Sequence, residues 1–441
     1  MTSELSMERE ISNRLEQWRQ ADDRKVLLVR GARQVGKTFS IRQFGLSFRY
    51  FIEVNFDFDI AVKQFFTSSL DPVTLCEKLS GYYSIPCVPG ETLLFFDEIQ
   101  ACPQAIQSLR YFYERMSGLH VIAAGSLLEF ALEQIPSFGV GRISSLYMYP
   151  LTFREFVTAL EGAPRAAQLS IPENGAPVDP VFHEKFIDLF RTYCIIGGMP
   201  AVVKLYTEKH DLLKCQTVLD ELLSTFKDDF AKYKTRIAQI KIVETLKSVT
   251  EQAGSKFMYS QIADTGPQTA YKQALDLLEM AGLCHKVYHT SGNGIPLGAE
   301  INTKRFKVIP FDLGLHQRLL GLSLRELLTG TMTTFVNKGS IAEVFAGLEL
   351  CAAGATNSVC QLYYWHRESN SSNAEVDYLL QLGAEIVPVE IKSGVRGSMQ
   401  SMALFMSEHA SKNGIRLSLE NCSRYNTISV IPLYLAGSIV F

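Results

Sequence analysis

A glycine-rich stretch near the amino terminus has the composition and spacing of a phosphate-binding loop. Residues 31–38 read GARQVGKT, fit the pattern G-x-x-x-x-G-K-[ST] and directly follow an apolar run. Such glycines let backbone N–H groups turn toward a phosphate, the lysine reaches the β- and γ-phosphates, and the threonine hydroxyl can ligate Mg²⁺. The pattern therefore predicts ATP and Mg²⁺ as cofactors. The residues expected to line the nucleotide are Gly31, Ala32, Arg33, Gln34, Val35, Gly36, Lys37 and Thr38.

Two acids at the end of another apolar run supply further groups that ATP hydrolysis needs. In TLLFFDEIQ, residues 92–100, the apolar part ends at Asp97 and Glu98. An acid at a strand end can hold Mg²⁺ and its waters, and a neighbouring acid can polarise the attacking water. The alternative is that both acids only solvate the strand terminus. Ser126, after the run HVIAAG, either senses the γ-phosphate or caps the helix that follows.

Arg142 is a candidate for stabilising the charge that develops during phosphoryl transfer. It lies in GRISS, after the loop-like stretch IPSFGVG. A guanidinium in such a position can act in its own subunit or in a neighbouring one, which would make the protein a homo-oligomer. The alternative is an ordinary surface arginine. The expected catalytic set of the nucleotide site is therefore Lys37, Glu98 and Arg142.

A second set of charged residues lies in the last hundred residues. Asp377 falls in the strand-like run AEVDYLL, and Glu390 and Lys392 lie two apart in PVEIKSG, so both project from one face of a strand. Two carboxylates on neighbouring strands can hold Mg²⁺, and an ammonium beside them can position a water for attack on a phosphodiester. Glu343, on a preceding helix, is a candidate third ligand, and Glu375 an auxiliary one. The alternatives are a charged surface stripe and a structural salt-bridge remnant.

The elements that must position these residues divide the chain into three predicted domains. Five apolar runs separated by helical patterns, beginning at residues 25, 50, 92, 120 and 145, predict a parallel sheet covered on both faces. This core and a helical lid at about 152–235 make up the first domain, residues 1–235. Two helices around a Gly-Pro turn and a hairpin predict a winged helix-turn-helix at 236–330. Residues 331–441 predict an α/β domain.

The winged-helix segment is only weakly basic. Residues 236–330 contain 11 basic and 8 acidic side chains, and the second helix carries Lys272 with Asp276 and Glu279 opposing it. Three further basic residues on the second hairpin strand are candidates for contact with a DNA backbone: Lys304, Arg305 and Lys307. DNA contact and a packing or lid role therefore both stay open.

Overall composition excludes several classes of protein. The 441 residues include 43 Lys plus Arg and 46 Asp plus Glu, a net charge of −3, which argues against a polycationic nucleic-acid coat. The nine cysteines are odd in number and never in C-x-x-C spacing, which argues against zinc and disulfide frameworks and favours a reducing cytoplasm. The sequence shows neither a secretory signal nor an apolar stretch of membrane-spanning length, so we expect a cytoplasmic protein with no membrane partner.

The ordered series of motifs resembles a known family. GARQVGKT, FFDEIQ, AAGS, GRISSLYMYPLTFREF, GGMP, the winged-helix segment, AEVDYLL and PVEIKSG together resemble prokaryotic AAA-type ATPases that carry a C-terminal restriction-endonuclease-like domain of the PD-(D/E)XK type. The resemblance implies an α/β fold with a P-loop ATPase core, a helical lid, a winged helix and a nuclease-like end. It implies nucleotide binding by Gly31, Gly36, Lys37 and Thr38, and a nuclease motif at Glu343, Asp377, Glu390 and Lys392.

These observations predict two alternative functions. The first is a Mg²⁺-dependent ATPase that couples its nucleotide state to DNA binding or cleavage by the C-terminal domain. The second is a nucleotide-dependent switch that binds a protein partner, with the nuclease-like domain as an inactive scaffold. The expected metal ligands are Thr38 and Asp97 at the nucleotide site, with Glu343, Asp377 and Glu390 at the nuclease-like site.

Overall fold

The computed structural model describes most of the chain and divides it into two compact units. The described residues are 8–126, 128–132, 141–230, 237–262, 267–329, 331–332, 340–354, 361–367, 373–392 and 399–439. The first unit extends to Tyr149 and the second begins at Pro150. This boundary differs from the predicted ones after residues 235 and 330. In the part of the chain that the structure describes, no helix has both the length and the apolar character that a membrane span requires.

A five-stranded parallel sheet forms the centre of the first unit, in the order β2-β3-β4-β1-β5. Strand β3 is buried along its whole length, as expected for a central strand with helices on both faces. The five predicted strands and their parallel arrangement are therefore confirmed. Their bounds are Val26–Arg30 (β1), Tyr50–Asn55 (β2), Thr92–Asp97 (β3), His120–Ala124 (β4) and Ile143–Tyr147 (β5).

Local signals in the sequence fix the ends of several helices in this unit. Helix α4 begins at Pro72, and the Asp71 side chain accepts a hydrogen bond from the Thr74 backbone N–H. Helix α5 begins at Pro103 and buries one apolar face against the sheet. The helices are Ile11–Gln20 (α1), Lys37–Gly45 (α2), Lys63–Ser68 (α3), Pro72–Tyr83 (α4), Pro103–Arg115 (α5) and Leu128–Leu132 (α6).

The helices of the predicted lid belong to the second unit. The Phe153 ring packs edge-to-face against Phe190, Tyr193 and Phe345, so these helices share an aromatic core with the C-terminal segment. This shared core explains why the boundary falls at 149/150. The helices up to residue 229 are Phe153–Glu161 (α7), Ala163–Ala166 (α8), Pro180–Ile196 (α9), Pro200–Lys209 (α10) and Leu212–Asp229 (α11).

The GGMP motif at 197–200 is part of this packing. The buried Asp312 carboxylate accepts hydrogen bonds from the backbone N–H groups of Gly198 (2.7 Å) and Leu315 (2.9 Å). A Cβ at Gly197, whose φ is +74°, would lie 2.4 Å from Asp312 Oδ1. Burial raises the pKa of Asp312 to about 6, and its backbone partners oppose that shift. The motif therefore has a structural explanation.

One eight-stranded sheet joins the predicted winged-helix hairpin to the predicted nuclease-like strands. Its order is β12-β13-β11-β10-β9-β8-β6-β7, and β6 pairs in parallel with β8. The first strand of the hairpin therefore extends the C-terminal sheet. The strands are Cys284–Thr290 (β6), Ile301–Pro310 (β7), Leu362–Arg367 (β8), Ala374–Leu382 (β9), Glu385–Ile391 (β10), Gly414–Ser418 (β11), Ser423–Tyr425 (β12) and Ile428–Pro432 (β13).

Six further helices accompany this sheet in the part of the chain that the structure describes. The first two, α12 and α13, pack on each other, as the helix pair of a helix-turn-helix would. The helices are Gln239–Glu251 (α12), Gln268–Met280 (α13), Leu313–Leu319 (α14), Leu324–Leu328 (α15), Ile341–Gly354 (α16) and Gln400–Glu408 (α17).

Candidate functional site

The glycine-rich loop lies between β1, which ends at Arg30, and α2, which begins at Lys37. The Lys37 ammonium folds back over the loop and donates hydrogen bonds to the carbonyl oxygens of Gly31 (2.8 Å) and Ala32 (2.7 Å). Burial lowers the pKa of Lys37 to about 8, while the nearby carboxylates of Glu98 and Asp97 oppose this shift. A phosphate anion at the loop would restore the ammonium by direct charge attraction.

The backbone of the loop has a conformation that suits a phosphate. Ala32 and Val35 are buried, so their contribution to a nucleotide site is limited to the backbone. Gly31 and Gly36 have φ values of +139° and +97°, and Gln34 has φ +64°. These positive values reorient the backbone at three points along the loop, and a phosphate-binding nest requires such left-handed residues.

Thr38 and Asp97 meet at the carboxyl ends of the central strands. Thr38 Oγ1 donates a hydrogen bond to the Asp97 carboxylate, at 3.1 Å from Oδ1 and 3.2 Å from Oδ2. Asn55, which pairs with Asp97 in register, donates from Nδ2 to Oδ2 at 3.3 Å. Burial and repulsion from Glu98 raise the pKa of Asp97 to about 6. A buried carboxylate held beside a hydroxyl, both hard oxygen ligands, fits Mg²⁺ together with phosphate and water oxygens.

Glu98 and Ser126 are also brought together. Glu98 directly follows β3 and has a left-handed conformation, with φ +49°. Its Oε2 accepts hydrogen bonds from Gln100 Nε2 (2.5 Å) and Ser126 Oγ (3.3 Å). A Cβ at Gly125 would lie 2.0 Å from Gln100 Oε1, so the small residue before Ser126 makes room for this contact. The predicted base and the predicted sensor therefore touch each other.

Two arginines outside the motif bond to the loop or to segments next to it, and the sequence analysis predicted neither. Arg9 donates 2.8 Å hydrogen bonds to the carbonyl oxygens of Val35, within the loop, and Tyr149. Arg30 donates to Glu129 Oε1 at 2.6 Å and to the Tyr147 hydroxyl at 2.6 Å. The position of Arg30 directly before the motif is the only signal that the sequence offers for either of them.

Arg142 is not brought to the loop of its own subunit. It precedes β5, where Ile143 pairs with Val26 at the start of β1, whereas the loop follows the end of β1. Arg142 Nε lies 2.5 Å from Glu114 Oε1 in an ion pair. A charge-stabilising role in the same subunit is therefore excluded by the strand order, and a role in a neighbouring subunit stays a prediction.

The C-terminal acids converge, but around a lysine. Lys307 Nζ lies 2.8 Å from Glu343 Oε1, 2.6 Å from Glu375 Oε1 and 4.0 Å from Asp377 Oδ1. Lys307 is buried, which corrects the expectation that it contacts a DNA backbone. Burial alone would lower the pKa of Lys307, but these three carboxylates raise it, so it stays an ammonium.

Glu390 and Lys392 occupy the other side of this cluster. Their Oε1 and Nζ atoms lie 2.6 Å apart, and Asp377 Oδ2 accepts a 2.7 Å hydrogen bond from the Ile391 backbone N–H. Burial raises the pKa of Glu390 to about 7, and the charge of Asp377 adds to this shift. Burial likewise raises the pKa of Glu343 to about 7, against the opposing effect of Lys307.

The two sides of this cluster differ in how well they fit Mg²⁺. Among the described residues, no group of three or more His, Cys, Asp or Glu side chains has the arrangement of a metal site. Glu390 Oε2, however, is buried and has no hydrogen-bond partner within the described part of the chain. The Asp377–Glu390 side therefore fits a single Mg²⁺ that keeps several waters, whereas the Glu343 side is filled by the ammonium.

The basic residues of the predicted winged helix differ in exposure and in ion pairing. Lys304 and Lys272 are exposed. Lys286 is held by Asp276 and Glu279 of α13, with its Nζ 2.8 Å and 2.7 Å from their oxygens. Much of the charge on this helix is therefore paired within the protein.

Comparisons with known proteins agree with the geometry of the first unit. Residues 23–157 match the model of an AAA domain, and residues 187–326 and 338–436 match two domains of unknown function, DUF8612 and DUF4143. No curated protein sequence matches the chain. The P-loop geometry and the AAA match together identify an N-terminal P-loop ATPase-like domain.

Three solved structures show weaker likeness. A Walker-type ATPase of Pyrococcus abyssi is 17% identical, with 71% of this chain and 96% of that chain covered and a TM-score of 0.45. The ORC1 protein of Aeropyrum pernix, in complex with DNA, is 13% identical, with 70% and 90% covered and a TM-score of 0.28. Can2 of Sulfobacillus thermosulfidooxidans, in complex with cyclic tetra-adenylate, is 12% identical, with 78% and 89% covered and a TM-score of 0.18.

Proposed function

We propose that the protein is a Mg²⁺-dependent ATPase whose nucleotide state controls DNA binding or cleavage by its second unit. The observation that carries the ATPase proposal is the contact of Thr38 with Asp97, beside Glu98 and directly behind the phosphate-binding loop. These are the groups that metal binding and water activation require, at the place where a γ-phosphate would lie.

Each residue has a defined part in this proposal. Lys37 exchanges the carbonyl oxygens of its own loop for phosphate oxygens, and Thr38 and Asp97 hold Mg²⁺, which neutralises phosphate charge when bound. Glu98 orients the attacking water and accepts its proton, while Ser126 fixes the carboxylate through its hydrogen bond. No residue of the second unit is needed for this chemistry.

Lys37→Ala tests the proposal directly. The purified protein is expected to hydrolyse ATP with Mg²⁺ and to stop when EDTA removes the metal, and Lys37→Ala should lower the rate at least about 100-fold. The matched control is Lys78→Ala, which removes a half-buried lysine of the same unit that donates a hydrogen bond to Ser68 and lies over the Phe65 ring. Turnover in Lys37→Ala equal to that of the parent would contradict the ATPase proposal.

A second candidate function is a nucleotide-dependent switch that binds a protein partner and uses the C-terminal domain as a scaffold. The pairing of Lys286 with Asp276 and Glu279 favours it, because this pairing occupies the Lys286 ammonium and leaves Lys272 as the one basic side chain that α13 offers to phosphates. The position of Lys307 among the predicted metal ligands also favours this second candidate.

The salt dependence of DNA binding separates the two candidates. If the second unit acts on DNA, affinity with ATP should fall steeply with salt, by about 0.9 log units per tenfold rise in salt for each phosphate contact. Lys304→Ala should then weaken DNA binding and make the salt slope shallower by about 0.9, the value for one phosphate contact. Absence of salt-sensitive binding at physiological ionic strength, with no Glu390-dependent cleavage of plasmid or single-stranded DNA, would favour the switch.

A further inference from the structure

The Lys307 ammonium is a buried cation that comes from outside the predicted nuclease-like segment. It projects from β7 of the hairpin, its side chain is 1% exposed, and its Nζ lies 5.2 Å from the centroid of the Tyr364 ring. Glu343 reaches it from α16 and Glu375 from β9. One ammonium therefore connects three separate elements of the second unit.

This ammonium satisfies the same carboxylates that a metal would. Buried carboxylates are costly unless a cation or hydrogen-bond donors compensate them. Glu343 and Glu375 each have an oxygen within 2.8 Å of Nζ, so their negative charge is compensated without metal. A divalent cation cannot share this position, because the ammonium already fills the space and two cations at such distances repel strongly.

The opposite side of the cluster is different. Asp377 lies farther from Lys307, at 4.0 Å, and Glu390 pairs with Lys392 at 2.6 Å. Glu390 Oε2, on this side, is a buried acceptor that has no hydrogen-bond partner among the described residues. The cluster thus has one side closed by a lysine and one side with an available oxygen.

We propose that Lys307 is a resident counter-ion that takes the place of a divalent cation beside Glu343 and Glu375, and so limits the cluster to one metal at Asp377 and Glu390. Glu343 is then a partner of Lys307 and not a metal ligand. The proposal is independent of the ATPase proposal, because it concerns residues of the second unit alone.

Lys307→Met tests the proposal, because methionine keeps most of the side-chain length and removes the charge. Mn²⁺ binding is counted by equilibrium dialysis without nucleotide, so that any metal at the P-loop contributes equally to variant and parent. Lys307→Met should bind one more Mn²⁺ per chain than the parent. Mn²⁺ should also raise the Tm of the variant by roughly 5 °C more than that of the parent, since a ligand stabilises the state that binds it.

Two further variants give the test its controls. Lys304→Met removes an exposed lysine from the same strand and should change neither the Mn²⁺ count nor the Tm response. The double variant Lys307→Met with Glu343→Gln should lose the additional Mn²⁺. An equal count in Lys307→Met and the parent, measured on folded protein, would overturn the proposal.

Glu343→Gln in the parent background keeps the proposal testable if Lys307→Met does not fold. The expected result is a Mn²⁺ affinity within about threefold of the parent, because Glu343 holds Lys307 and not metal. A fall in affinity of more than about tenfold, the factor typical for loss of a group that supports the metal directly, would show that Glu343 binds metal and would overturn the proposal.

Discussion

Glu98→Gln is expected to bind Mg²⁺-ATP at least as tightly as the parent and to hydrolyse it about 100-fold to 10,000-fold more slowly. Glutamine keeps the size of the side chain but cannot accept the proton of the attacking water, and a general base contributes about this factor. Binding should not suffer, because the charge of Glu98 raises the pKa of Asp97, and its removal favours the ionised Asp97 that holds Mg²⁺.

Single-turnover hydrolysis and equilibrium binding of a fluorescent ATP analogue measure the two effects separately. Glu91→Gln is the matched control, since Glu91 directly precedes the same strand at its opposite end and pairs on the surface with Arg49. Turnover within about threefold of the parent in Glu98→Gln would exclude Glu98 as the base. A parallel loss of binding would instead indicate that Glu98 organises the site.

Gly31→Ala is expected to lower the free energy of unfolding of the first unit by about 3–5 kcal/mol and to abolish nucleotide binding. A Cβ at Gly31, where φ is +139°, would lie 2.1 Å from the Met148 carbonyl oxygen. Met148 cannot easily move away, because its backbone N–H donates a 2.8 Å hydrogen bond to the Arg30 carbonyl oxygen. The substitution must therefore displace either the loop or the end of the sheet.

Gly90→Ala separates this collision from the conformational cost of a positive φ. Gly90 belongs to the same unit and has φ +83°, but a Cβ there would meet no atom within 4 Å. We expect it to cost about 1–2 kcal/mol, the penalty of the left-handed conformation alone. Urea unfolding followed by Trp18 fluorescence in a Trp365→Phe background reports on the first unit, because the chain has two tryptophans. Equal losses in the two glycine variants would show that the contact with Met148 does not matter.

The first unit follows closely from local sequence. Five apolar runs became five parallel strands, and the loop, Asp97 and Glu98 each follow a strand at its carboxyl end. Such motifs are readable because glycine positions and a strand end fix the backbone within a few residues. Parallel strands then bring their carboxyl ends to one edge, so Thr38, Asp97 and Ser126 gather without further information.

Arg142 lies at the opposite edge of the same sheet. Its place after a loop-like stretch agreed with a catalytic arginine, but the stretch leads into the amino end of β5. A residue that precedes a parallel strand lies at the amino edge of the sheet, opposite the edge where the phosphate-binding loop lies. Arg142 therefore meets Glu114 rather than the phosphate-binding loop.

In the second unit, the sequence by itself determined the identity of Glu343, Asp377, Glu390 and Lys392 and their spacing along helix and strand. Only the tertiary structure decided that β6 pairs with β8, and that Lys307 lies among these acids. The alternation of side chains along a strand gives the face of each residue but not the neighbouring strand. A lysine in a hairpin reads as a surface charge until that pairing buries it, and the same pairing decides whether an acidic cluster needs a metal.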